Sequence, residues 1–342
     1  MQSQSSVFDS KTKAAQRSRT IQWIEHGEQL NTGRGEFELE GPKIDLMQKE
    51  IASRLCDRLD VVKRRFRRVL ILGGAAHAVI ECLANHNSVV GGVDSSEQIS
   101  MHSNDNRGIY EKDSNSASSY KLCVIHCDTD IDTLNSCAKL CQRLDIPVVS
   151  HHVNADDFER HGIDFLPADV ERYDDSLSGK DDSQTKQGYV QYDSDNPEKK
   201  VDLVVACLGL HWQNNLPLVF SKIRKSLKPD GLFLGSLYGE DTLHEMRVSC
   251  MIAESERQSG FETQRVSPMV LIRDAGSLLS AAGFALPSVD VDTITMRYRT
   301  PFDAVTHIRE MGESSAAAKG NSRIQFDSAL AASAIYQVGT LE

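Results

Sequence analysis

The spacing of apolar residues changes period along the chain, and the changes outline alternating helices and strands. Ile44, Met47, Ile51, Leu55, Leu59 and Val62 recur at helical spacing behind Pro42, which predicts an amphipathic helix. A basic connector, Lys63 to Arg68, leads into the apolar run Val69-Leu70-Ile71-Leu72, closed by Gly73-Gly74. Such a run reads as a strand buried on both faces that enters a tight turn. Similar runs return at Lys121 to Asp128, Ile146 to Val153, Val201 to Leu208 and Leu232 to Tyr238. Between them, Leu134, Cys137, Ala138 and Cys141 predict one helix. Leu216, Val219, Phe220, Ile223 and Leu227 predict another, ending before the turn Pro229-Asp230-Gly231. Strands alternating with helices imply an α/β protein with a parallel, doubly wound sheet.

After Gly239 the pattern becomes mainly helical. Thr242-Leu243-His244-Glu245 has the form of a capping box at a helix start. A helix is expected from about Arg273 to Ala282, stopped by Gly283, then a strand from Val289 to Tyr298 and a helix from Pro301 to Met311-Gly312. Two polar stretches, His102 to Tyr120 and Asp169 to Lys200, hold too few apolar residues to offset the entropy of ordering, and read as surface insertions. The expected organisation is therefore an N-terminal helical extension (1–66), a Rossmann-like domain with insertions near 95–120 and 169–200 (67–238), and a mainly helical C-terminal lobe (239–342).

Composition narrows the partners. Across 342 residues the net charge is −11, which argues against non-specific binding to nucleic acid or to an anionic membrane. A basic protein or peptide would meet no such barrier. No apolar run approaches the roughly 20 residues that span a bilayer. The eight cysteines include no Cys-x-x-Cys pair and read as free thiols in a reducing compartment. Residues 1–22, rich in Ser and Gln with Lys11, Lys13, Arg17 and Arg19, are mildly similar to a transit peptide, although Asp9 and the absence of an apolar face oppose that reading. No secretory signal is expected.

Open α/β sheets bind ligands beyond the carboxyl ends of their strands, where the strand order reverses. That rule selects Gly73 to His77, the turn after Asp128, Ala155 to Phe158, and Leu208 to Trp212. A nucleoside ligand needs close backbone approach at the first loop, an acid for ribose hydroxyls at the second and a polar contact to the base at the third. Asp94 lies about 20 residues beyond Gly73, the spacing expected of a ribose acid, whereas Asp128 closes a far clearer strand and is preferred. Asp156 is the candidate at the third loop. His211 is placed to orient substrate or move a proton, and Trp212 to line the pocket. Glu245, Arg247, Glu254 and Arg257 share helical spacing, so a solvated ion-pair face stands beside a site or partner role. No metal ligands are assigned.

Val201 to Val205, Leu208-Gly209-Leu210-His211-Trp212, Asn215-Leu216-Pro217 and Leu227-Lys228-Pro229-Asp230-Gly231 resemble the later strands of class I S-adenosylmethionine methyltransferases. Asp241-Thr242-Leu243, Glu245, Arg247, Ser267-Pro268, Asp274-Ala275-Gly276 and Met311-Gly312-Glu313-Ser314 extend the resemblance to the NADH dehydrogenase (complex I) 1 alpha subcomplex assembly factor 5 family. The resemblance implies a Rossmann-like class I methyltransferase sheet with N-terminal helices and a mainly helical C-terminal lobe. It also implies an S-adenosylmethionine cofactor on Gly73, Gly74, Asp128, Asp156 and Leu208, with Asp94 as the alternative to Asp128. Catalytic candidates are His211, Trp212, Glu245 and Arg247. The implied activity is hydroxylation of an arginine in a complex I subunit, in the mitochondrial matrix or peripherally at the matrix face of the inner membrane. A conventional methyltransferase of the malonyl-carrier type and a non-catalytic assembly chaperone are the alternatives. Two departures bear on the cofactor. The family's Asp-x-Gly-x-Gly-x-Gly loop is here Ile71-Leu72-Gly73-Gly74-Ala75-Ala76-His77, which keeps one matched glycine, loses the acid and resembles the plant-type Leu-Gly-Gly form. Ala75 and His77 are expected to crowd the ligand's approach. The chain also ends where family members continue, so the C-terminal lobe is expected to be shortened.

Overall fold

The contiguous apolar runs become neighbouring strands of one parallel sheet. In the computed structural model, which describes residues 7–30, 45–86, 122–153, 200–256 and 266–317, the strands are β1 (Arg68–Leu72), β2 (Cys123–Asp128), β3 (Val148–His152), β4 (Val201–Cys207) and β5 (Leu227–Ser236). Their order is β3-β2-β1-β4-β5, and every pairing is parallel. The direction of travel across the sheet therefore reverses between β1 and β4, which opens a crevice at their carboxyl ends.

Side chains alternate across each strand, so a central strand needs apolar residues at every position. Val69 and Ile71 of β1 pack into one core with α2 (Leu46–Asp57), α3 (Ala76–Ala84) and α4 (Ile131–Arg143); Leu70 and Leu72 pack into the other. That second core takes α5 (Leu216–Ser226) through Val219, Phe220 and Ile223, and α7 (Ile272–Ala281) through Leu278 and Leu279. All seven residues of β4 are buried, including Asp202. Its carboxylate accepts from the backbone N–H of Arg67 and Arg68 and lies 3.1 Å from the Lys228 ammonium. Those partners hold its pKa down despite burial, which alone would raise it.

The helix starts carry local explanations. Asp45 accepts from Met47 and Gln48 N–H, Asp130 from Thr133 N–H, and Asn215 from Leu218 N–H. At α8 (Pro301–Glu310), Thr300 and Asp303 form a reciprocal capping box. The box expected at Thr242 is not formed. Helix α6 (His244–Glu256) opens directly after Leu243, which stands at φ 57° in the capping position. The turn at Pro229-Asp230-Gly231 lies inside β5 as an irregularity: Val201 pairs with Leu227, Leu203 resumes with Leu232, and Asp230 takes φ 61°. Val289 to Tyr298 forms no strand. Its alternation is strand-like, yet no neighbouring edge pairs with it, and the segment lies largely exposed with Asp290 and Asp292 tied to Arg58 and Arg54.

Helix α1 (Ser10–Leu30) crosses the crevice. Phe8 forms an antiparallel bridge with Ala317, and the Val7 and Phe8 N–H groups donate to the Asn214 side chain at 2.8 Å. The insertions expected near 95–120 and 169–200 lie outside the described residues, save Lys200. No described helix is long and apolar enough to cross a membrane.

The loop after β1 depends on Gly74. At φ 63°, a Cβ there would fall 1.9 Å from the Cys207 carbonyl oxygen at the end of β4. Gly283 shares the left-handed conformation but faces open space. Gly283→Ala is expected to cost about 1 kcal/mol. Gly74→Ala adds a backbone overlap and is expected to cost about 3 kcal/mol or more. Urea unfolding of the two variants checks the ranking, and equal losses would refute the close approach.

Candidate functional site

A cavity opens at the carboxyl ends of β1, β2 and β4, walled by Gly73, Gly74, Asp128, Leu208 and Trp212 and covered by Lys13 and Arg17 of α1. The cavity has a volume of about 100 Å³. Leu208 turns the chain out of β4 in the left-handed region, φ 55°, an uncommon and strained state for a side-chain-bearing residue. The strain is held in place by the Leu208 N–H, which donates to Ser236 O at 3.0 Å.

Asp128 closes β2 and is fully buried at its side chain. One carboxylate oxygen accepts from Asp130 N–H at 3.0 Å, and the other meets the Arg17 guanidinium at 2.5 Å. His126 Nε2 lies 3.6 Å away. Burial alone would raise the carboxyl pKa, but the Arg17 charge and the contact with His126 hold it down at about 2. The Arg17 guanidinium also reaches Gly74 O at 3.4 Å.

A second buried carboxylate, Glu313, follows α8. One of its oxygens takes the Lys13 ammonium at 3.1 Å, His211 Nε2 at 3.1 Å and the Trp212 indole N–H at 3.0 Å. Lys13 and Trp212 can only donate and so favour an ionised Glu313, which can only accept and assigns the His211 proton to Nε2. Burial opposes its charge, yet Lys13 and His211 hold its pKa at about 2. Burial draws Lys13 down to about 8 against the pull of Glu313. The Lys13 ammonium also donates to Gly312 O at 2.6 Å and lies 3.6 Å from the centre of the Trp212 ring. Phe8 meets the same indole edge-on at 5.3 Å.

The structure thus gathers Gly73, Gly74, Asp128, Leu208 and Trp212 around one cavity. His211 stands behind it rather than lining it, packed edge-on against Tyr238, and its Nδ1 and the Tyr238 hydroxyl are buried without hydrogen-bond partners among the described residues. Burial lowers the His211 pKa despite Glu313. Glu245 and Arg247 do not reach the cavity: Glu245 is exposed, and Arg247 donates to Glu240 O at 3.1 Å. Asp94, Asp156 and Arg257 lie outside the described residues, as does the side chain of Glu254.

Ala75 and His77, expected to crowd a ligand's approach, both line the cavity. Ala75 N–H donates to Cys207 O at 2.8 Å, and Gly73 N–H to Cys127 O at 3.0 Å, so two loop amides already serve the strand ends. The His77 ring, though part of the cavity wall, is tied to Ser136 Oγ at 2.9 Å and lies 3.5 Å from Cys137 Sγ. Burial lowers its pKa to about 4. Sequence reasoning missed Lys13, Arg17 and Glu313 as site residues. The available signals were the four-residue spacing of the two cations, which places them on one helix face, and the family-like segment containing Glu313.

Because Glu313 and Asp128 have depressed pKa values in the fold, they contribute stability above their ordinary values of 4.5 and 3.8. That contribution is lost as pH falls towards about 2. Glu313→Gln is expected to cost on the order of 3 kcal/mol near neutral pH, since it leaves Lys13 buried without a counter-charge. The gap to the native protein should narrow as pH falls below 4.5 and close only below about 2, where Glu313 is itself protonated in the fold. Denaturant titrations across this range provide the check; a gap that stays constant would show that Glu313 is not ionised in the fold.

Residues 47–289 match the model of a methyltransferase domain. The chain is 42% identical over 141 residues to the mitochondrial arginine-hydroxylase NDUFAF5 of Rattus norvegicus, covering 41% of each chain. It is 44% identical over 140 residues to the Dictyostelium discoideum protein of that name, covering 41% of this chain and 32% of the relative. The malonyl-[acyl-carrier protein] O-methyltransferase of Xylella fastidiosa is 32% identical over 119 residues, 35% of this chain and 38% of that one. The matched stretches thus span well under two thirds of these relatives. With the sheet order and the cavity at its switch point, these likenesses bear out the resemblance read from the sequence: the chain belongs to the methyltransferase-domain family and is similar, within it, to the NDUFAF5 arginine hydroxylases.

Proposed function

We propose that this chain is a mitochondrial complex I assembly factor that hydroxylates an arginine of a complex I subunit at the crevice beneath α1. The observation that carries the proposal is the placement of two ion-paired carboxylates, the fully buried Asp128 and the largely buried Glu313, at the switch point of the sheet in a chain whose relatives are named arginine hydroxylases. Acidic and aromatic walls suit a cationic substrate, and the net charge of −11 does not repel one. We place the protein in the matrix or peripherally on the matrix face of the inner membrane.

S-adenosylmethionine fits the described walls at its ribose end. The Asp128 carboxylate is the acid such a sugar needs, and a Cβ on Gly73 would meet no atom nearer than the Arg17 guanidinium, at 3.4 Å. Leu208 and Gly74 would complete the binding wall, and Asp156 is proposed for the base. Ile71 stands where the family's motif carries an acid, so the amino end lacks that partner. When bound, the cofactor supplies a sulfonium centre. The chain's own residues hold and orient it, while α1 shuts out water. Arg17 and the ribose compete for one carboxylate.

Calorimetry tests this part directly. Asp128→Asn is expected to weaken S-adenosylmethionine binding about tenfold or more; unchanged affinity would remove Asp128 from the site. No binding by the folded native chain, alone or beside an arginine-containing peptide, would favour the chaperone reading. Incubation with the immature subunit, followed by peptide mass spectrometry, tests the reaction. An arginine peptide heavier by one oxygen atom is expected, whereas a gain of one methylene would point to methyl transfer.

A further inference from the structure

The contacts made by α1 are unusual for a helix that covers a cavity. Between Ser10 and Ile21 its buried side chains are Lys13, Gln16 and Ile21, two of them polar. It is held by Lys13 on Glu313, Gln16 on Ser315 O, Arg17 on Asp128 and Ser18 on Asp132. The Gln16 amide oxygen is buried without a partner among the described residues. Over these described residues the helix is attached mainly by polar contacts that a competing ligand can replace one for one.

Beneath it, the seat of Lys13 is built without help from α1. Trp212 and His211 come from the loop after β4, and Glu313 from the turn after α8. Together they present an indole face and an ionised carboxylate to one cation. If α1 left this seat empty, Glu313 would lose the counter-charge that Lys13 supplies and keep only its Trp212 and His211 contacts. Exchange is therefore favoured when a new cation arrives as Lys13 departs. A planar guanidinium suits both surfaces, stacking on the indole and donating to the carboxylate.

We infer that the Trp212–Glu313 seat is the recognition site for the guanidinium of the protein partner, and that Lys13 of α1 occupies it in cis until that arginine displaces the helix. The inference rests on the arginine-directed reading above and adds to it the residues that bind the side chain and the segment that must move. Arg17, four residues on, is lifted from Asp128 by the same movement. Arrival of the basic partner thereby frees the carboxylate proposed for the ribose.

The test uses the full chain and a capped Gly/Ser peptide with one central arginine, beside versions with citrulline or lysine at that position. Hydrogen exchange of residues 10–21 is expected to quicken saturably with the arginine peptide and to stay unchanged with the neutral citrulline isostere. Lys13→Met is expected to bind the arginine peptide at least tenfold more tightly than the native chain, and adding Glu313→Gln should abolish that gain. Equal effects of arginine and citrulline would overturn the inference. So would a lysine peptide matching the arginine one, or a folded Lys13→Met protein that binds no better. If Lys13→Met does not fold, exchange in the native chain decides alone, and an unresponsive α1 refutes the idea. Peptide binding with α1 release but no oxygen gain would retain the seat and dismiss the hydroxylase reading. Oxygen gain with α1 undisturbed would do the reverse.

Discussion

A carboxylate taken out of water must be met by positive charge and hydrogen-bond donors, and that requirement organises this molecule. Asp128 and Glu313 are both ionised inside the fold, at the ends of different elements, and a single helix supplies a cation to each. The sheet creates the crevice, but the two ion pairs determine which segment closes it. Neither pair is isolated. Asp128 is oriented by Asp130 N–H, and Glu313 by the Trp212 indole and His211. Disturbing one cation therefore reaches the strand ends and the turn after α8 together.

The consequence for chemistry is a division of labour within a small volume. Gly73, Gly74 and Leu208 shape the backbone wall, Asp128 supplies the negative charge on the β2 side, and Glu313 with Trp212 supplies it on the β4 side. His211 stands one layer back, where it orients Glu313 instead of meeting a ligand in the cavity. The cover over these groups is polar on its inner face, so closing the site and neutralising it are the same event.

Much of the sheet was legible from sequence because a parallel strand buried on both faces has to be an unbroken apolar run, as in Val69 to Leu72 and Val201 to Cys207. Val289 to Tyr298 shows the limit of that logic: alternation describes a surface suited to pairing, while a strand also needs an edge to pair with. Asp128 could be read because it ends its strand. Lys13, Arg17 and Glu313 could not be placed by local pattern. Their partners lie far along the chain, with Arg17 111 positions from Asp128 and Lys13 300 from Glu313. A polar helix such as α1 carries no apolar face to announce where it docks. The residues at 211 and 212 were legible as a pair near the strand end, but their different depths depend on how the loop turns after Leu208.

The glycine-poor loop after β1 acquires a different meaning from its hydrogen bonds. Two of its amides are tied to the carbonyls that end β2 and β4, and Gly74 is wedged against the second of these. The segment behaves as a joint that locks three neighbouring strands at one height. A joint constrains the residue at its point of contact and leaves the residues beside it freer to vary. Side chains at Ala75 and His77, though on the cavity wall, are then compatible with an intact crevice floor, because the loop's amides are committed to carpentry between strand ends.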